Sequence, residues 1–322
     1  MKNTFLAPLF SLLVAFPAFA APPASFGEAK VIAKQKVYFD QANSDLGELY
    51  CGCHWTWVGK SGGRIDAQSC GLQTRAQENR AKRTEWEHIV PAWTFGQQRQ
   101  CWQDGGREHC VKDDPVFRAM EADLFNLYPS VGEVNGDRSN FNYGMVPGVA
   151  PQYGQCKTRV DFDHRTAEPR DEVKGLVART TFYMFDRYNL SMSRQQQQLL
   201  MAWDKQFPVT AWERERNARI AAIMGHDNPF ITGQRAWKLG YKPVGDGVVS
   251  QLPTRPTATH PAQGASVPKA TSGSIIGNRG SHVYHLPEGC PGYTQVGDKN
   301  RITFASEAEA IKAGYRKAGN CR

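Results

Sequence analysis

After its first nineteen residues the 322-residue chain has no second apolar run that could cross a bilayer, which takes about 20 consecutive apolar residues. The one such run, Phe5 to Phe19, follows Lys2 and closes on Ala18-Phe19-Ala20, the form of a secretory signal cut after Ala20. A mature protein without a membrane span, in the periplasm or secreted, is expected. No His-Glu-x-x-His occurs, which disfavours a zincin protease. No segment recurs at periods of about twenty to fifty residues, so repeat architectures are not expected. An excess of one charge sign is missing from most of the chain. Ala21 to Thr232 carries 26 Lys+Arg against 26 Asp+Glu, whereas Gly233 to Arg322 carries 12 against 5, and that tail accounts for nearly all of the formal +8. Bulk charge therefore says nothing about a polyanionic partner for the larger part, and local residues must carry that argument.

What the chain does have begins with eight cysteines, an even number that an oxidising compartment allows to pair. Cys101–Cys110, closing a short Gly-containing loop, is one expected pair, and Cys51 and Cys53 are expected to divide between Cys156 and Cys70. The length suggests a main domain with an appendage. A helix is expected over Ala29 to Phe39, then strands and turns to Cys70, and a solvated charged segment from Arg75 to Arg83. Apolar spacing predicts helices over Asp114 to Asn126, with Pro115 just inside the start, over Val173 to Tyr188, over Ser193 to Phe207, and over Val209 to Met224 with Thr210 as cap. Residues 242–274 hold five prolines among Gly, Ser, Thr and Ala and read as a linker. Residues 275–322 regain enough apolar residues for a very small α+β unit.

Two stretches carry chemistry. Thr84-Glu85-Trp86-Glu87-His88-Ile89-Val90-Pro91-Ala92-Trp93 sets a carboxylate beside an imidazole in a β-favouring run. Glu133-Val134-Asn135-Gly136-Asp137-Arg138-Ser139-Asn140 supplies an amide and a carboxylate, and Ser130-x-x-Glu133 has the form of a capping box that would start a short helix. Hydrolysis of a phosphodiester needs a base for water, a cation for the developing charge and a positive side chain on the phosphate. His88 can be the base, Glu87 and Asn135 offer oxygen ligands that suit Mg²⁺ better than zinc, and Arg107 follows two glycines that let a phosphate approach. Taken alone, Glu87 reads as a surface carboxylate, Asn135 as a turn residue, Arg107 as an exposed loop cation and His88 as a structural histidine. Trp86, Trp93 and Trp102 could stack bases, but core packing is expected for each.

These stretches, with Tyr50-Cys51-Gly52-Cys53, Gln100-Cys101-Trp102-Gln103-Asp104-Gly105-Gly106-Arg107, Met120-Glu121-Ala122-Asp123 and Gln152-Tyr153-Gly154-Gln155-Cys156, resemble the endonuclease I family of secreted bacterial nucleases, over roughly Val31 to Ile231. The resemblance implies an α+β fold, mostly helical, with a small β element and a ββα-metal site at residues 21–241. It implies that His88 is the base, that Glu87 and Asn135 hold Mg²⁺, that Arg107 binds the phosphate and that Glu121 orients the histidine. Glu85, Asp137, Arg138 and Asn140 are expected to be supporting residues. The implied activity is sequence-nonspecific, Mg-assisted hydrolysis of DNA, with RNA as a second substrate, giving 5′-phosphate ends and acting as a monomer. The rival from another class is a catalytically silent nucleic-acid-binding or uptake protein on the same scaffold. Family members carry a further cysteine pair, matching Trp212-Glu213-Arg214-Glu215 and the region after Pro229-Phe230, and both partners are absent here. The tail separately resembles the metal-binding module of the Ada DNA-repair proteins, through Ile276-Gly277-Asn278, Val283 to Cys290, Asn300 to Phe304 and Glu309 to Arg316. That module holds zinc with four cysteines. Here His285 and Ala318 stand at two of the four positions, so a Cys290–Cys321 disulfide is expected in place of zinc.

Overall fold

The computed structural model describes residues 21–248 and 275–321, apart from 280, 288, 289, 291, 292, 294, 295, 298, 299, 319 and 320. The signal-like stretch 1–20, residues 249–274 of the expected linker, and Glu288 and Gly289 lie outside the described residues. The chain divides into two compact units, Met1–Leu252 and Pro253–Arg322.

The first unit is α+β with helix predominating. Helix α1 (Phe26–Ile32) is capped by Ser25, whose hydroxyl accepts the Glu28 N–H, and runs into a π turn at Ala33–Val37. It therefore starts and ends earlier than the expected Ala29 to Phe39. Strands β1 (His54–Val58) and β2 (Gly62–Asp66) form a hairpin. The stretch from Arg75 to Arg83 is mostly exposed, as expected, with Ala81 buried and Gln77 and Arg80 half-buried. It contains α2 (Glu78–Ala81), and Arg75 and Arg80 reach inward to Asp137 at 2.7 Å and Glu85 at 2.5 Å, because those carboxylates are covered by the fold and need counter-charges.

Strand β3 (Thr84–His88) is followed by α3 (Ala92–Gly96), α4 (Gln100–Asp113) and α5 (Pro115–Glu121), and then pairs antiparallel with β4 (Leu127–Val131), Glu87 opposite Tyr128 and His88 opposite Leu127. Helix α5 opens as its sequence implies: Asp114 accepts the Val116 and Phe117 N–H groups and Pro115 occupies the first turn. It stops at Glu121, short of Asn126, and Leu124–Asn126 form a separate 3₁₀ turn. The segment between Cys101 and Cys110 is not a loop but helix broken at Gly105 and Gly106, the latter at φ 69°. Only glycine takes that conformation without strain.

Strand β4 is wholly buried and passes directly into α6 (Gly132–Arg138). The expected capping box is absent. Ser130 lies inside β4 and donates to the Glu85 carbonyl, while the Glu133 carboxylate receives the main-chain N–H groups of Arg75, Ala76 and Gln77. Strands β5 (Asn142–Tyr143), β6 (Arg159–Asp161) and β7 (Thr166–Glu168) make a small sheet in the order β5-β7-β6. Four helices close the unit: α7 (Asp171–Arg187), α8 (Arg194–Gln206), α9 (Ala211–Met224) and α10 (Pro229–Thr232). Helix α7 is buried on every face from Val173 to Asp186 and is the centre of the helical layer. Thr210 and Glu213 form a reciprocal capping box on α9.

Buried charge fastens the Cys-rich turn and β4. The Glu48 carboxylate accepts the N–H groups of Tyr50, Cys51, Cys53 and Val131. Arg216 donates to the carbonyls of Leu124, Phe125 and Leu127, tying α9 to the 3₁₀ turn and the start of β4. Disulfides join Cys51 to Cys156, Cys53 to Cys70 and Cys101 to Cys110. Where the family's further pair would sit, Glu213 is held by Arg179 at 2.6 Å, and Asn217 bridges α9 to the Asp227-Asn228 turn. Residues 244–247 bond to the end of α7 through Asp186 and Arg187.

The second unit has β8 (Ile275–Asn278), β9 (Val283–His285), β10 (Arg301–Phe304), α11 (Glu307–Lys312) and β11 (Arg316–Lys317), with strand order β10-β8-β9-β11 around Ile275, Tyr284, Phe304, Ala310 and Tyr315. Cys290 and Cys321 are joined. His285 lies beside those sulfurs, but a disulfide offers no thiolate for zinc.

Candidate active site

The β3-β4-α6 unit faces an open cavity of about 410 Å³. Glu87, His88, Arg107 and Asn135 all line it, so four residues from three separate stretches of sequence meet on one concave surface. Glu121 is not in the lining but supports it.

His88 ends β3, 8 % exposed, packed against Phe26 at 4.6 Å and Phe95 at 6.3 Å between ring centroids. Its Nε2 lies 2.8 Å from the main-chain carbonyl of Glu121. A carbonyl can only accept, so Nε2 carries the proton and Nδ1 keeps the lone pair. Burial pushes the imidazole down to about 4, with the Arg107, Arg138 and Lys30 charges acting the same way against the carbonyl bond. The ring is therefore neutral at neutral pH, with its basic nitrogen fixed by the partner of the other.

The Glu121 side chain does not touch His88. It holds Arg107, whose Nε and Nη2 lie 2.6 and 2.5 Å from Oε1. The expected orienting role thus falls to the Glu121 main chain, because α5 ends there and leaves that carbonyl outside the helical ladder. Arg107 follows the glycine kink of α4 and remains about half exposed at the cavity.

Glu87 is 2 % exposed. Tyr50 donates its hydroxyl and Arg138 its Nη1 to the same oxygen, Oε1, each at 2.6 Å, so neither engages Oε2. Burial raises the carboxyl above its ordinary value against the pull of Arg138 and Tyr50. Glu87 lines the cavity, and Tyr50 and Arg138 leave its Oε2 without either of their bonds. Asn135, on α6, donates its amide to Glu85 Oε2 at 3.0 Å. A carboxylate accepts only, which turns the amide Oδ1 away as the atom left for a ligand. One carboxylate and one amide oxygen fit a hard divalent cation that keeps much of its water. Neither thiolate nor a second imidazole is present for a softer metal.

Among the residues expected as supporting, Glu85 is held by Arg80 and Arg83 and aligns Asn135. Asp137 binds Arg75 and Tyr153, and Asn140 accepts from Arg165. Arg138 does more than the sequence suggests. It is the buried counter-ion of Glu87 and also donates to the carbonyls of His88 and Ile89, fixing the end of β3. Tyr50 was legible only as part of a cysteine motif, and nothing in local sequence joins it to Glu87. Of the tryptophans, Trp86 and Trp102 pack on the core as expected, and Trp86 also donates to the Ser61 carbonyl. Trp93 does not. It is 43 % exposed at the cavity wall because α3 turns Phe95, two positions on, into the core.

The Endonuclease I family model matches residues 25–234. An extracellular deoxyribonuclease of Aeromonas hydrophila is 45 % identical over 235 residues, 73 % of this chain and 99 % of that protein. A periplasmic deoxyribonuclease of the same organism is 48 % identical over 187 residues, 58 % of this chain and 78 % of that one. The Endonuclease-1 of Buchnera aphidicola subsp. Acyrthosiphon pisum is 45 % identical over 185 residues, 58 % and 73 % of the two chains.

Proposed function

This chain belongs to the endonuclease I family, and from that premise we propose that its cavity hydrolyses DNA phosphodiester bonds outside the cytoplasm, after removal of residues 1–20. The observation that supports the mechanism most is the His88 tautomer, fixed by the Glu121 carbonyl in a cavity also walled by Glu87, Asn135 and Arg107. His88 takes a proton from the attacking water on Nδ1, and its Nε2–H bond to the carbonyl stabilises the imidazolium that forms. Arg107, steadied by Glu121, turns its remaining N–H groups to the phosphate oxygens. Glu87 and Asn135 would hold Mg²⁺, which would supply charge stabilisation for the phosphate and the departing 3′-oxygen. In-line attack on phosphorus with departure of that oxygen leaves 5′-phosphate ends. RNA shares the reacting group and is a second substrate, and the whole site lies on one chain, so a monomer suffices.

Plasmid digestion with and without EDTA tests this reading. Nicked and linear products with ligatable 5′-phosphates, abolished by EDTA and restored by Mg²⁺, are expected. DNA binding without cleavage under all metal conditions would instead establish the silent binder.

A further inference from the structure

Lys30 on helix α1 and Lys34 in the π turn that follows it stand against the rings of Phe26, which lines the cavity, and Trp57, and among the described residues no carboxylate pairs with either. The Phe26 ring lines the cavity, and Lys30 Nζ stands 4.6 Å from its centroid. Arg107 Cζ lies 5.8 Å from the centroid of the same ring, so two cations share one aromatic ring that lines the cavity. Four residues on, Lys34 Nζ donates to the Gly59 carbonyl at 2.6 Å and lies 5.4 Å from the ring of Trp57. Trp57 stacks on Trp86, which is itself part of the cavity wall. Both lysines are half-buried along their stems. Among the described residues neither forms an ion pair, whereas Arg75, Arg80, Arg83, Arg99, Arg107 and Arg138 each do.

That difference matters in a domain whose charge sums to zero between Ala21 and Thr232. A contact with an aromatic ring is worth about 0.5–1 kcal/mol at an exposed site and leaves the charge uncompensated. Lys30 and Lys34 are thus held in place by Phe26, Trp57 and Gly59 while their charge remains available to an anion. Four residues apart, about one helical turn, their Cβ atoms are neighbours at about 6 Å. Two cations one helical turn apart can therefore meet two phosphates of one DNA strand.

We infer that Lys30 and Lys34 form a rail for the DNA backbone, Lys30 meeting the phosphate next to the one being cut and Lys34 one farther along the same strand. The direction of the rail rests on the reading of the cavity as the cleavage site. The charge availability does not. Both residues bind and position substrate without touching the reacting atoms.

The test uses the full-length protein and the variant Lys30→Gln/Lys34→Gln, with DNA affinity measured in EDTA as a function of salt. Loss of two phosphate contacts should lower the slope of log K against log salt by about 1.8 and weaken binding at least tenfold near 0.1 M salt. Lys30→Arg/Lys34→Arg should restore both. With Mg²⁺ present, the variant's loss of kcat/KM on plasmid should exceed its loss on bis(p-nitrophenyl) phosphate by about tenfold, since that diester is too small to reach the rail. An unchanged salt slope overturns the inference, as does failure of the arginine pair to restore it. Because the slope is read from binding alone, it decides the matter even if the wild-type protein cleaves neither substrate, an outcome that would reject the cleavage reading separately.

Discussion

Replacing Arg138 by methionine removes what is, among the described residues, the only cation bonded to Glu87, a carboxylate almost fully out of water. Arg138 is 1 % exposed and Glu87 2 %, with Nη1 2.6 Å from Oε1. Breaking a buried pair from one side costs about 3–5 kcal/mol, because the remaining charge is left uncompensated. The carbonyls of His88 and Ile89 also lose donors at 3.0 and 2.7 Å, which adds about 1 kcal/mol or more. A loss of about 4–6 kcal/mol is therefore expected, against a total stability of about 5–15 kcal/mol for a domain. The assay is urea unfolding followed by tryptophan fluorescence in EDTA, so that no cation substitutes for the guanidinium. Adding Glu87→Gln to Arg138→Met removes the stranded charge and should recover about half of the loss. The reasoning fails if Arg138→Met costs under about 1 kcal/mol, or if the double variant is no more stable than the single one.

Glu121→Gln should raise KM for DNA several-fold by loosening Arg107 while leaving the pH–rate profile in place, since the His88 partner is the main-chain carbonyl; a shifted acid limb would mean that the side chain reaches His88 after all. Glu87→Ala should move the midpoint of a Mg²⁺ titration of activity to higher concentration, and an unmoved midpoint would remove it from the ligand set. Cys51→Ser/Cys156→Ser opens a span of 105 residues and Cys101→Ser/Cys110→Ser one of 9, so chain entropy ranks their costs at about 4.8 and 2.6 kcal/mol, and Tm shifts in the reverse order would contradict that ranking. The Arg219 guanidinium holds the Asp40 carboxyl at about 2, below its usual 3.8. Because the folded value is the lower one, this stabilisation is present above about 3.8 and is lost as pH falls through about 2. Asp40 is partly exposed, so Asp40→Asn should flatten the acid limb of stability by well under 1 kcal/mol, and a larger change would mean a role beyond the pair.

Much of this architecture is legible in sequence because its cause is local. Helices α7, α8 and α9 follow from apolar spacing, α9 also from the Thr210 cap, and α5 from Asp114-Pro115. The strand–helix order of the site follows from the β-favouring run at Glu85 and from the run at Asn135. What is not legible depends on partners far away in the chain. Ser130 and Glu133 satisfy a local capping pattern, yet β4 is paired along its whole length, and Glu133 finds three main-chain donors 56 to 58 residues away. Arg138 and Tyr50 reach Glu87 across separations of 51 and 37 residues. Nor does sequence distinguish the Glu121 carbonyl from its carboxylate, since that depends on where α5 ends.

The most direct test of the central claim is single-turnover cleavage of a defined DNA duplex by His88→Ala in saturating Mg²⁺, with duplex affinity measured on the same preparation. The variant keeps Glu87, Asn135 and Arg107 and removes the imidazole proposed to take the proton from water, together with its packing on Phe26 and Phe95. General-base catalysis is worth about 10²–10⁴-fold, so a fall of at least that size with affinity unchanged within about threefold is expected. Cleavage within tenfold of the wild type would contradict the account and place the base elsewhere in the cavity.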